Sequence, residues 1–206
     1  MSSSTHRFVQ GYLRRRRSMA LPATAIALSV ALLVPSSAAA ERLEVADRRG
    51  DYWHDHRVDG GTPSQSQPEW GNPDIRRTAY RHWRNRVSVR IKVAHQIRRH
   101  GGYWRVEIRM RTNEGLRRTA TWFKPDDSPP STTWSGSKSC AIDGRIDFDR
   151  NAFIVDVPRR CLSGPTRVAF KSATRWTPTS DDAPYLDVSG QSGYRLTEWS
   201  APVKRA

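Results

Sequence analysis

The sequence predicts an all-β protein: an antiparallel β-sandwich, jelly-roll-like, with about eight strands and one disulfide. Three observations carry this prediction. Residues 87–93 and 104–111 alternate strictly between apolar and polar or charged side chains, the period of a half-buried strand. Clusters of Gly, Pro, Asn and Asp punctuate much of the remaining chain at roughly 10-residue spacing. No segment after residue 40 repeats its apolar residues with the 3.6-residue period of an amphipathic helix.

The first 40 residues read as a secretory signal. Arg14, Arg15, Arg16 and Arg17 form a positive n-region, Met19 to Val34 is apolar apart from Thr24 and Ser29, and Ala38 and Ala40 make an A-x-A cleavage site before Glu41. The apolar run is short for a membrane span, which needs roughly 20 residues. The arginines also permit twin-arginine export, but Met19 and Ala20 match its apolar pair poorly, so the general secretory route is favoured. A secreted or envelope-associated location follows, with no membrane span after cleavage.

Beyond Glu41 the chain divides into an N-terminal segment and long loop, 41–73, and a sandwich core, 74–206, in a single domain 41–206. Gly60, Gly61, Pro63, Pro68, Gly71 and Pro73 break any regular pattern in the loop. The first long strand starts after Asp74. Val87, Val89, Ile91 and Val93 then form the inner row of the next, with Ser88, Arg90 and Lys92 opposite. Trp104, Val106, Ile108 and Met110 oppose Arg105, Glu107, Arg109 and Arg111. Gly101 and Gly102 lie between these two strands, where a hairpin-like return would want them. Weaker strands are expected at Leu116–Phe123, at Ile146–Phe148 turning near Asp149–Asn151 into Phe153–Val157, and from Val168. Residues after Ser189 add one more or fray.

Cys140 and Cys161 are the only cysteines, and an even count in an exported chain reads as a disulfide. Neither belongs to a C-x-x-C metal motif. The same bond would consume both thiol nucleophiles. No G-x-S-x-G elbow or H-E-x-x-H helix is present, so hydrolytic catalysis finds no motif.

Charge is the most unusual feature. The chain carries 35 Lys and Arg against 20 Asp and Glu, with a mean hydropathy of −0.73. Beyond residue 40 the balance is 30 against 20, and residues 74–118 alone hold 14 basic residues and three acids. Arg90, Lys92, Arg105, Arg109 and Arg111 all oppose the aliphatic rows. If their strands pair, they form one basic sheet face with affinity for polyanions such as teichoic acids, anionic glycans, lipid headgroups or nucleic acid. Trp83 and Tyr103, at the strand ends, could stack on sugar rings. Nucleic acid is the disfavoured partner, since no nucleic-acid-binding signature is present. Trp104 shares parity with Val106 and Ile108 and is expected in the core.

Two metal chemistries suit particular residues. Asp47, Asp51, Asp74 and Asp182 are oxygen donors in Gly- and Pro-bearing loops, and calcium takes six to eight such oxygens. No EF-hand spacing accompanies them, and aspartates also cap turns. His54 and His56 share a face of an extended segment and could meet one transition metal. No other cofactor is indicated.

Asp47-Arg48-Arg49-Gly50-Asp51 has the form D-x-x-G-D; Asn72-Pro73-Asp74-Ile75 opens the first long strand; His82 precedes the second; Val157-Pro158-Arg159-Arg160-Cys161-Leu162 closes another; and Asp181-Asp182-Ala183-Pro184 follows. Together these resemble a group of secreted bacterial proteins of unknown function whose fold is like that of DOMON and family-nine carbohydrate-binding sandwiches. The pattern prefers Gly where Asn72-Pro73 stands. The resemblance implies ligand binding without catalysis, an analogy from fold. The function expected is an exported, non-catalytic module binding anionic or carbohydrate polymers of the cell envelope. The alternative is a secreted metal-dependent enzyme whose site comes from the 46–73 loop.

Overall fold

A computed structural model of the chain describes residues 41–55, 64, 73–97, 101–136, 140–180, 184–191, 193 and 195–206. The signal segment 1–40, most of the long loop, His56 and Asp182 lie outside the described residues. Twelve strands are present among those described: β1 (Glu41–Ala46), β2 (Trp53–His54), β3 (Ile75–His82), β4 (Arg86–Val93), β5 (Gly102–Thr112), β6 (Arg117–Lys124), β7 (Ser131–Trp134), β8 (Asp143–Asp147), β9 (Ala152–Pro158), β10 (Arg167–Pro178), β11 (Tyr185–Val188) and β12 (Val203–Lys204). The only helical turn among them is a 3₁₀ turn at Arg159–Leu162. The strands not anticipated, β1, β2, β7 and β11, are two to six residues long, and short runs carry weak periodicity.

They form two antiparallel sheets in a β-sandwich. One has the order β1-β3-β4-β9-β8; the other is β2-β11-β10-β5-β6-β7, with β12 also on β10. The N-terminal segment thus contributes to both sheets: β1 pairs with β3, and β2 pairs with β11.

Alternation explains the core. Val87, Val89, Ile91 and Val93 of β4 and Phe153, Val155 and Val157 of β9 face Trp104, Val106, Ile108 and Met110 of β5 and Val168, Phe170 and Trp176 of β10. Each fully buried side chain of this size contributes about 1.5–3 kcal/mol. Aromatic rings lock the layers together: Tyr80 stacks on Phe170 at 4.7 Å, and Phe153 lies 5.0 Å from Trp104 and 5.7 Å from Trp122. The Tyr80 hydroxyl shares a hydrogen bond with Ser172 at 2.9 Å, which satisfies a polar group inside the sandwich. Gly144 on β8 is where Trp122 needs room. A Cβ there would lie 2.0 Å from the indole, so only glycine fits without displacement.

Cys140 and Cys161 are bonded, with Cα atoms 5.7 Å apart. The bond ties the chain just before β8 to the 3₁₀ turn after β9. Closing a loop of this length is worth about 3 kcal/mol in chain entropy.

The expected return between the two long basic strands is not a hairpin. β4 pairs with β3 and β9, whereas β5 pairs with β10 and β6. The connection carries the chain from one sheet to the other. Gly101 takes a positive φ of 91° at its end, and its N–H donates to Asp126 Oδ1 at 2.9 Å.

Candidate functional site

The sequence-level grouping of five cations on one face is corrected by this topology. The inner rows of β4 and β5 face each other across the core, so their outer rows point away from each other. Arg90 and Lys92 therefore occupy the outer face of the five-stranded sheet, and Arg105, Arg109 and Arg111 that of the seven-stranded sheet. Parity was predicted correctly; the shared face was not.

On the five-stranded face the cations meet acids from neighbouring strands. Arg90 Nη2 lies 2.9 Å from Asp147, Arg145 Nη1 2.9 Å from Asp143 and 3.0 Å from Asp156, and Arg86 Nε 3.8 Å from Asp156. Arg42 and Arg77 both pair with Glu44. Trp83 belongs to this face, with the guanidinium groups of Arg81 and Arg86 at 5.6 and 6.0 Å from its ring centroid.

The seven-stranded face is different. Register places Arg105, Arg109 and Arg111 of β5 beside Arg175, Lys171 and Ala169 of β10, and Arg111 beside Arg117 of β6. Glu107 is the only carboxylate in these three strands. It bridges Arg109 at 2.7 Å and Arg105 at 3.8 Å. Lys171 Nζ donates to the carbonyls of Leu196 and Thr197 and lies 4.6 Å from the Trp199 ring, whose other visitor is Arg111 at 4.8 Å. Its own desolvation, with Arg109, Arg111 and Arg117 nearby, holds the Lys171 ammonium below its ordinary range.

A cleft of about 430 Å³ opens on this face. Ala173, Leu186, Val188 and Leu196 form an apolar cluster at its floor, while Arg105, Arg109, Arg175 and Arg195 line it with Glu107. A second depression, of about 470 Å³, runs past Tyr103, Phe123 and Arg175. Tyr103, 38% exposed, packs edge-on against Phe123 at 5.7 Å. Lys171, Arg175 and Arg117 were missed at the sequence level, although Lys171 and Arg175 share parity along one strand.

A second constellation lies between the start of β3 in one sheet and β11 in the other, beside the turn after β1. Carboxylate oxygens of Asp51, Asp74 and Asp187 all fall within 4.8 Å of one another, and each residue is at most 4% exposed. The D-x-x-G-D turn brings its two acids here. Gly50 takes φ 70°, a conformation that disfavours a side chain, and its N–H donates to Asp74 Oδ1 at 3.2 Å. Asp187 accepts N–H bonds from Ile75 at 2.5 Å and Val188 at 2.7 Å. Asp47 Oδ1 accepts from Arg48 at 3.0 Å and Gly190 at 3.1 Å. Neither carboxylate oxygen of Asp51, nor Oδ2 of Asp47, has a hydrogen-bond partner on another described residue.

Burial raises the carboxyl of every member. Asp47 is lifted to about 7, first by desolvation and then by Asp51. Desolvation raises Asp51 and Asp74, with Asp74 adding to Asp51. Asp187 is raised well above its ordinary range, first by desolvation, with Asp47 and Asp51 adding to it. Asp51 and Asp74 were candidates from sequence and are brought together; Asp187 was not foreseen. Asp182 lies outside the described residues, as does His56; His54 stacks on Tyr185 at 4.3 Å. No family model, curated protein or solved structure matches this chain.

Proposed function

We propose that the protein is an exported, non-catalytic β-sandwich module that binds an anionic polymer or acidic glycan of the cell envelope through the outer face of its seven-stranded sheet. The observation that supports this reading most is the composition of that face. Arg105, Arg109, Arg111, Arg117 and Lys171 lie on three adjacent strands whose only carboxylate is Glu107, while Arg175 beside them pairs with Asp55 at 3.9 Å. Adjacent strands are about 4.8 Å apart, so such cations repel until an anion intervenes. The apolar cleft floor suits the carbon faces of a sugar ring or polymer backbone, and Tyr103 and Trp199 offer rings in two other depressions of the same face. Export is supported by the signal-like leader and the disulfide.

A metal-dependent enzyme would need an ion open to substrate. Burial of Asp51, Asp74 and Asp187 favours that alternative less.

The test is a comparison of faces. Purified protein is titrated with teichoic acid, heparin and an acidic glycan at low and high salt. Binding should be tightest at low salt and fall steeply as salt rises. Changing Arg105, Arg109 and Arg111 together to Gln should weaken it about tenfold or more, while Arg90→Gln with Lys92→Gln should change it less than about threefold. Failure of every polyanion to bind at low salt, or equal losses for the two variants, refutes the reading.

A further inference from the structure

We propose that Asp51, Asp74 and Asp187, with Asp47 at the margin, form a binding site for one calcium ion that clamps the N-terminal segment onto the sandwich. This goes beyond the polymer-binding face, which lies on the outside of the seven-stranded sheet, whereas Asp187 points between the sheets.

The acids alone would not carry the inference; Asp51 does. Its side chain is 4% exposed, and its oxygens lie within the cluster yet accept no hydrogen bond from any other described residue. A buried carboxylate without donors is costly, and the cost rises when other carboxylates share the space. Its neighbours are held differently. Backbone N–H groups of Gly50, Ile75, Val188 and Gly190 fix Asp74, Asp187 and Asp47 in orientation. Such donors are what orient ligands around an ion in a built site. Asp51 completes the set.

The dimensions fit calcium. Ca–O distances of about 2.3–2.6 Å let opposed ligand oxygens stand up to about 4.6–5.2 Å apart, and the three carboxylates fall within 4.8 Å of one another. The cluster contains no His or Cys, which selects a hard ion over zinc or copper. Magnesium keeps most of its water and uses one or two carboxylates in a tight octahedron; three buried carboxylates suit the larger, less demanding ion. The ligands also come from distant parts of the chain. Asp51 lies between β1 and β2, Asp74 immediately precedes β3, and Asp187 belongs to β11. One ion would therefore join the turn after β1 to both sheets.

The experiment compares melting temperatures with a chelator and with millimolar calcium, at matched ionic strength and without polymer. A ligand that binds only the folded state must stabilise it, and at one hundred times its dissociation constant the expected rise is about 5–10 °C. Magnesium at the same concentration should give less than half the rise. Asp51→Asn should abolish the calcium response while melting at or above the wild type in chelator, because it removes a buried charge. A residue needed only for folding would lower both values. Equilibrium dialysis of wild-type protein with mass-spectrometric detection should find one equivalent of calcium, which keeps the test decisive if the variant does not fold. No bound calcium and no calcium-dependent rise would overturn the site. An Asp51→Asn protein that keeps the rise would overturn the ligand assignment, and equal responses to the two ions would overturn the choice of calcium.

Discussion

On the five-stranded sheet, Arg86, Arg90 and Arg145 each reach a carboxylate of β8 or β9: Asp147, Asp143 or Asp156. On the seven-stranded sheet, Arg105 and Arg109 share one carboxylate, and Arg111 and Lys171 turn to the Trp199 ring. Both faces are rich in arginine, so counting cations would not tell them apart. The difference lies in what stands beside each cation. The arrangement of acids, more than the number of bases, distinguishes the two surfaces.

The comparison rests on a core that both faces share, and the largest expected effect comes from breaking that core. Phe153 belongs to β9 in the first sheet but packs on Trp104 and Trp122 of the second. Phe153→Ala should cost about 3–5 kcal/mol. Chemical denaturation should show a single transition moved to lower denaturant; separate transitions for the two sheets would break the premise that one core orients both faces.

A smaller effect would sharpen the contrast directly. Replacing Asp147 and Asp156 by Asn removes the acids that serve Arg86, Arg90, Arg145 and Arg150. Stability should fall by no more than about 1 kcal/mol for each half-exposed pair lost. In a background where Arg105, Arg109 and Arg111 are Gln, the change should restore polyanion binding about three- to tenfold at low salt. Unchanged binding would mean that pairing does not govern which face attracts anions.

The smallest effect sits at the seam between the sheets. His82 of β3 is fully buried, and its Nδ1 lies 3.3 Å from the carbonyl of Val203 on β12. Burial holds the imidazole below its ordinary range; Arg159 and Arg205 push the same way, and the Val203 carbonyl and Glu41 oppose them. The unfolded chain takes up a proton at about pH 6.5, while the folded chain resists until lower pH. Stability should therefore fall as pH drops through that window and level off below the folded value. The melting temperature of wild type, measured against His82→Gln from about pH 8 to pH 5, should decline relative to the variant. Parallel curves would show that this histidine does not titrate with folding.

Much of the fold was legible in the sequence because β4, β5 and β9 bury one side only, which writes period-2 alternation into the chain. Alternation fixes which residues share a side of one strand. It says nothing about which strand lies next to it, so the basic rows of β4 and β5 could not be assigned to separate faces. β11 shows the opposite failure. In Tyr185-Leu186-Asp187-Val188, hydrophobicity alone would turn Leu186 and Val188 inward and Asp187 to solvent. The register does the reverse: Leu186 lies opposite Arg175 on the outer face, and Asp187 lies opposite the buried Thr174. Leu196 covers the displaced leucine and valine, and the acidic cluster receives the aspartate. The D-x-x-G-D motif was visible in the sequence, and Gly50 takes φ 70° between its two acids. Its third partner was hidden by that inverted strand.

The outermost strands have a consequence for life in a crowded surrounding. Open sheets invite other chains to add to their unpaired margins, the first step toward fibrils and aggregates. Here the margins are β1 and β8 on one sheet and β2 and β7 on the other. β2 and β7 have two and four residues, too few to template an extended neighbour. β1 carries Glu41, Arg42 and Glu44, and β8 carries Asp143, Arg145 and Asp147. The disulfide anchors the chain just before β8. Copies brought side by side would meet through short or charged rims, which disfavours the addition of one sheet to another.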